Sequence, residues 1–125
     1  MNPLALAAVL ALAAPPASAD AARGERVYER CIACHALAYD RVGPRHCGLI
    51  GRRAGAVQGF GYSDAMRQSG IVWNAKTLDR FLADPPGEVQ GTTMTYAGVP
   101  AARDRADLIA YLARAGRSAE CGAPR

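Results

Sequence analysis

Apolar positions along the chain follow a helical rhythm in four places and lose it in between. Gly24, Val27, Tyr28 and Cys31 fall at i, i+3, i+4 and i+7, which predicts a first helix running straight into Cys31. Ser63 is a good N-cap for a short second helix that Gly70 would stop. Asn74 would cap a third, whose apolar face is Leu78, Phe81 and Leu82 and which Pro85-Pro86 end. A last helix is expected from about Pro100 to Ala115, with Leu108, Tyr111, Leu112 and Ala115 on one face and Gly116 as its stop. No segment alternates convincingly as a strand, so the class expected is all-α. The intervening loops collect the Gly and Pro residues, from Val42 to Gly61 and from Pro85 to Gly98. So much irregular chain in a small domain needs something to wrap around, and a large, flat, apolar cofactor would serve.

The N-terminus has a different pattern. An apolar run from Leu4 to Ala14 is followed by Pro15-Pro16 and then Ala17-Ser18-Ala19. That order matches a secretory signal peptide over 1–19, with the mature domain expected over 20–125. The run is too short to cross a bilayer, which takes about 18 residues or more. An uncleaved membrane anchor is the alternative. Export would place the mature chain in the periplasm, with no stable membrane span because no second long apolar run exists.

Charge changes the picture little. Fifteen Lys and Arg against eleven Asp and Glu give a net +4, and every basic side chain except Lys76 is an arginine. A basic face could steer toward acidic partners, or the arginines could simply be a solvated surface. Nucleic acid is not expected, because no basic run carries interleaved aromatics.

The candidate chemistry sits at the end of the first helix. Cys31-Ile32-Ala33-Cys34-His35 has the spacing for covalent attachment of a c-type haem. Two thiols three positions apart can add to the two vinyl groups on one porphyrin edge, and the next imidazole can reach the iron. A thioredoxin-like pair would want a strand before the motif, whereas a helix precedes it. Half of a zinc site would want a second close pair of ligands, and only His46, Cys47 and Cys121 remain.

The chain also resembles the class I cytochromes c, close to the soluble mitochondrial and purple-bacterial type. The resemblance is carried by Gly24, Tyr28 and the haem motif, by Val42-Gly43-Pro44, Gly48-Leu49-Ile50-Gly51-Arg52 and Gly59-Phe60-Gly61-Tyr62-Ser63-Asp64-Ala65. Trp73, the stretch Gly91-Thr92-Thr93-Met94-Thr95-Tyr96-Ala97-Gly98 and the stretch Arg105 to Leu112 complete it. It implies helices and loops wrapped around one covalent haem, and a single-haem electron carrier rather than an enzyme. By this resemblance His35 and Met94 are the iron ligands, and the Pro44 carbonyl orients His35. Arg52, Tyr62, Trp73 and Thr92 match positions that bind the propionates. Gly24, Tyr28, Leu108 and Tyr111 match the packing of first helix on last. Implied partners are redox proteins such as a cytochrome bc complex, a terminal oxidase, a reaction centre or a periplasmic dehydrogenase, met by a monomer.

There are departures. The loop from His35 to Gly43 is shorter than in mitochondrial members. Phe81 stands where many members have tyrosine, and Met66 where many have asparagine. Both changes remove polar groups beside the haem, and Met66 becomes a second sulfur near it. Cys47 and Cys121, left over after the haem takes its pair, suggest a disulfide in an exported chain, and the resemblance makes their regions neighbours. Two free buried thiols are the alternative. His46 is expected to be an ordinary surface or packing residue. The competing functional class is a haem enzyme or gas-binding protein with an open distal face, and a further option is a permanent subunit of a larger oxidoreductase.

Overall fold

A computed structural model describes residues 10–12 and 18–122 of the 125-residue chain. The expected leader over 1–19 therefore lies largely outside the described residues. Helix α1 spans Ala21–Tyr28, α2 Asp64–Gln68, α3 Ala75–Ala83, α4 Pro85–Glu88 and α5 Ala102–Gly116, with a single 3₁₀ turn at Ala119–Cys121. Among the described residues the only β pairing is an isolated bridge between Arg53 and Val72.

Local chemistry sets the helix starts. The Asp20 carboxylate accepts from Arg23 N at the head of α1, and the Ser63 hydroxyl accepts from Met66 N at α2. Asn74 and Thr77 cap α3 reciprocally, each side chain accepting from the other's backbone N–H.

Three details differ from the sequence expectation. Helix α1 stops at Tyr28 instead of running into Cys31. Beyond it the backbone tightens into turns, with Cys31 N donating to Tyr28 O and Cys34 N to Cys31 O. Pro85 does end α3, but it also opens α4: Asp84 accepts from Gly87 N, and a proline at the first helical position loses no hydrogen bond. Gly116 is the last residue of α5 rather than its stop, and Arg117 forms the cap.

The core is built where α1 crosses α5. Val27 and Tyr28 pack with Leu108, Tyr111 and Leu112, all of them buried. The crossing is so close that a Cβ on Gly24 would stand 1.9 Å from Asp107 O, which excludes every residue but glycine. Asp107, 2% exposed, ties the junction together. It accepts from Arg23 Nε at 2.9 Å and from Asp20 N at 2.7 Å. Arg105 adds a tie from α5 to Asp79 of α3 at 2.8 Å. These helices form one side of a cavity, and residues between Cys31 and Arg52, Phe60 to Met66, Trp73 and Thr92 to Ala97 form the rest.

Candidate haem site

The cavity holds about 500 Å³, within the range of cofactor pockets, and its lining is mainly apolar. Leu49, Leu78, Leu82, Leu108 and Leu112 supply much of that lining. Cys31, Cys34, His35 and Met94 all line the cavity.

His35 is held in detail. Its Nδ1 lies 2.8 Å from Pro44 O. A carbonyl only accepts, so Nδ1 carries the proton and Nε2 keeps a free lone pair. Burial pushes the imidazole below its ordinary pKa, against the opposing pull of the Pro44 hydrogen bond, and so favours the neutral, ligating form. Gly43 N donates to Cys34 O at 2.8 Å, closing the loop against the motif. A Cβ at Gly43 would lie 2.2 Å from His35 Cε1, so the loop closes this tightly only with glycine there. Cys31 is partly buried, which pushes its thiol up to about 11, while Cys34 is exposed.

The structure places the sequence-predicted residues Pro44, Arg52, Tyr62, Trp73, Thr92 and Met94 around this one cavity. Arg52 donates through Nη1 to Cys47 O at 3.2 Å and through Nη2 to Arg45 O at 2.9 Å. Its Nε is buried without a partner among the described residues. A buried N–H left unpaired is costly, and a carboxylate of a bound group would satisfy it. Tyr62 accepts from Val57 N at 3.1 Å. Trp73 is buried with its ring 5.0 Å from that of Phe81. The Thr92 hydroxyl accepts from Met94 N at 3.2 Å. Residues 92, 94, 96 and 98 are half-buried while 93, 95 and 97 are exposed, so the segment is extended with Met94 on its inner side. Met66, 8% exposed, lines the same cavity.

Two thiols at the rim, a neutral imidazole with a free nitrogen, a thioether, an orphaned guanidinium N–H and apolar walls together fit a haem. A sequence profile of the cytochrome c family matches residues 21–115. The chain belongs to the cytochrome c family. Cytochrome c2 of Blastochloris viridis is 43% identical over 102 residues, covering 79% of this chain and 80% of that protein. Cytochrome c2 of Rhodomicrobium vannielii is 42% identical over 110 residues, 86% of this chain and 88% of the other. Among solved structures, cytochrome cH from Methylobacterium extorquens superposes with a TM-score of 0.74 at 40% identity, covering 76% of this chain and 98% of its own. This cytochrome c therefore has the class I fold, binds covalent haem c with its iron, and is a single-haem electron carrier rather than an enzyme.

Two further features of the cytochrome c bear on the site. The sulfurs of Cys47 and Cys121 lie 2.00 Å apart, at disulfide-bonding distance, which pins the loop after Pro44 to the 3₁₀ turn beyond α5. His46 is not a plain surface residue. Its ring stacks on that of His35 at 4.1 Å with 19° between planes, and its Nδ1 lies 2.9 Å from Tyr28 Oη. Burial, with His35 and Arg52 nearby, pushes it down to about 3. The expectation of a surface or packing residue holds in its packing part; the contact with the His35 ring was not foreseen, and the available signal was slight: His46 is the second of two histidines, two residues after Pro44.

Proposed function

We propose that this chain is an exported, periplasmic electron shuttle whose haem iron is ligated by His35 and Met94 and whose leader is removed after Ala19. The observation that carries the reading is the meeting, in one apolar cavity, of a neutral His35 with its Nε2 free and of Met94 from a separate loop. When bound, the haem supplies reversible one-electron chemistry at its iron, and His/Met ligation favours the ferrous state. The protein's own groups do the rest. Cys31 and Cys34 hold the group covalently, and the Pro44 carbonyl holds the His35 proton. Arg52, Tyr62, Trp73 and Thr92 would hold its carboxylates. The leucine-rich wall keeps water from the iron, which limits reorganisation when charge changes.

The partners in this reading are redox proteins of the periplasm, such as a cytochrome bc complex, reaction centre, terminal oxidase or dehydrogenase. Among the described residues no helix is long and apolar enough to cross a membrane. Arg30, Arg41 and Arg45 flank the haem motif along the chain, Arg30 paired with Asp104 and Arg45 with Asp40, whereas Val89 to Ala102 carry no charge. That asymmetry suits a partner whose acidic surface meets the histidine side. The Cys47–Cys121 bridge belongs to the same reading, since it forms in an oxidising compartment.

An absorption spectrum of the purified protein in both oxidation states, followed by acidified-acetone extraction, tests the assignment. We expect haem that stays with the protein and a methionine–iron band in the ferric form. Haem leaving with the solvent, or ready carbon monoxide binding by the ferrous protein at neutral pH, would overturn it in favour of an open-faced haem protein.

A further inference from the structure

The Pro44 carbonyl holds one edge of the His35 ring, yet a single hydrogen bond lets a ring pivot about the N–H direction. The Gly43 backbone crowds the ring as well, and a further surface is needed to fix its plane. The flat surface presented to His35 is the imidazole of His46, 4.1 Å away and nearly parallel at 19°. His46 is in turn prevented from turning. Its backbone N donates to Ala36 O at 3.2 Å, and its ring nitrogen Nδ1 is tied to the Tyr28 hydroxyl at 2.9 Å. Tyr28 is 6% exposed and lies against Tyr111, their rings 5.1 Å apart, so it is braced by both α1 and α5. An aliphatic side chain at 46 could fill the same volume, but it would offer no hydrogen bond to set its own orientation. A run of rings thus leads from α5 through Tyr28 and His46 to His35.

We infer that His46, locked by the Tyr28 hydroxyl, is a positioning residue that sets the rotational angle of the His35 imidazole. The inference rests on the reading that His35 ligates the iron. Groups beyond the ligand commonly fix a ligating histidine through its free ring nitrogen. Here a second device acts on the ring face. The plane of an axial imidazole decides how the unpaired electron of ferric iron is distributed over the macrocycle. It is therefore visible in the spread of the four haem methyl resonances, and a contact that only stabilised the fold would not move that spread.

The test is proton NMR of the ferric holoprotein with Tyr28→Phe, His46→Leu and both together. Tyr28→Phe removes one oxygen and keeps the ring. It should redistribute the methyl shifts while covalent haem and the methionine–iron band persist. His46→Leu should redistribute them further, and the double variant should match His46→Leu alone, because the hydroxyl acts only through His46. Unmoved shifts in Tyr28→Phe, or effects that add in the double variant, overturn the inference. If His46→Leu does not take up haem, Tyr28→Phe decides by itself. A parent protein without covalent, low-spin haem sinks the ligation reading and this inference with it. Normal parent spectra with an unmoved Tyr28→Phe sink this inference alone.

Discussion

From Cys34 to Arg52 the wall of the cavity is knitted together. Gly43 N reaches Cys34 O, His46 N reaches Ala36 O, Cys47 N reaches Leu37 O, and Arg52 spans the carbonyls of Cys47 and Arg45. In the segment from Thr93 to Gly98, by contrast, a single hydrogen bond is formed among the described residues, from Met94 N to the Thr92 hydroxyl. It is secured at its far end, where Val99 is wholly buried and its N–H donates to Leu82 O at 2.7 Å. The histidine wall is thus complete without the iron. The methionine loop has fixed ends and a free middle, and in the proposed assignment the iron–sulfur bond is what orders that middle. Segments with few buried contacts and few hydrogen bonds open most easily, which places the first opening of the site at Met94 rather than at His35.

The largest effect that tests this contrast is loss of the sulfur. Met94→Ala should abolish the methionine–iron band, lower the reduction potential and admit carbon monoxide to the ferrous protein, with the haem still covalently held. Met66→Ala should leave the band intact. If the band survives Met94→Ala and vanishes with Met66→Ala, the loop is not the labile wall and the contrast fails.

A smaller effect should come from the histidine wall. Replacing both Cys47 and Cys121 by alanine opens a loop with a sequence separation of 74 and should cost about 4 kcal/mol in guanidinium unfolding of the holoprotein. The methionine–iron band should remain under native conditions. A loss below about 1 kcal/mol would show that the hydrogen bonds of this wall suffice without the bridge.

The smallest effect is set by pH. Hydrogen bonds from Arg23 and then from Asp20 N hold the Asp107 carboxyl below its ordinary value of 3.8. A carboxylate lowered on folding contributes stability above that ordinary value, and the contribution is lost as pH falls through the lower folded value. Asp107→Asn should therefore be less stable at neutral pH. The difference from the parent should shrink as acid titrates the carboxylate, and acid titration followed by circular dichroism measures it. A difference constant from neutral pH to below the carboxylate range would show that the α1–α5 junction does not depend on this charge.

The two walls were also unequally legible in the sequence. Cys31, Cys34 and His35 are adjacent in the chain, so the spacing itself expresses the chemistry. The faces of α3 and α5 were legible because one periodic stretch makes each of them. Met94 was not legible in that way: nothing in a polar, Gly-flanked loop says that a thioether turns inward, and only the resemblance to a family marked it. Helix α4 is hidden because the same proline that stops one helix also suits the first position of the next. His46 was hidden for a deeper reason. Its partners Tyr28 and His35 lie 18 and 11 positions away, on an irregular path that no period describes.

The Cys47–Cys121 bridge has a topological consequence. It turns the C-terminal part of the chain into a closed ring, with everything before Cys47 as a tail outside it. Cys31, Cys34 and His35 are on the tail; Arg52, Tyr62, Trp73, Thr92 and Met94 are on the ring. On the assignment proposed above, the haem is riveted to the tail and clasped by the ring. Breaking the iron–sulfur bond would then release Met94 into a tethered loop rather than into an open chain. The far end of that loop stays fixed by Val99 on Leu82 and the chain around it is closed by the bridge, so the sulfur keeps a high local concentration around the iron it has left, and recapture competes well with any ligand arriving from solution.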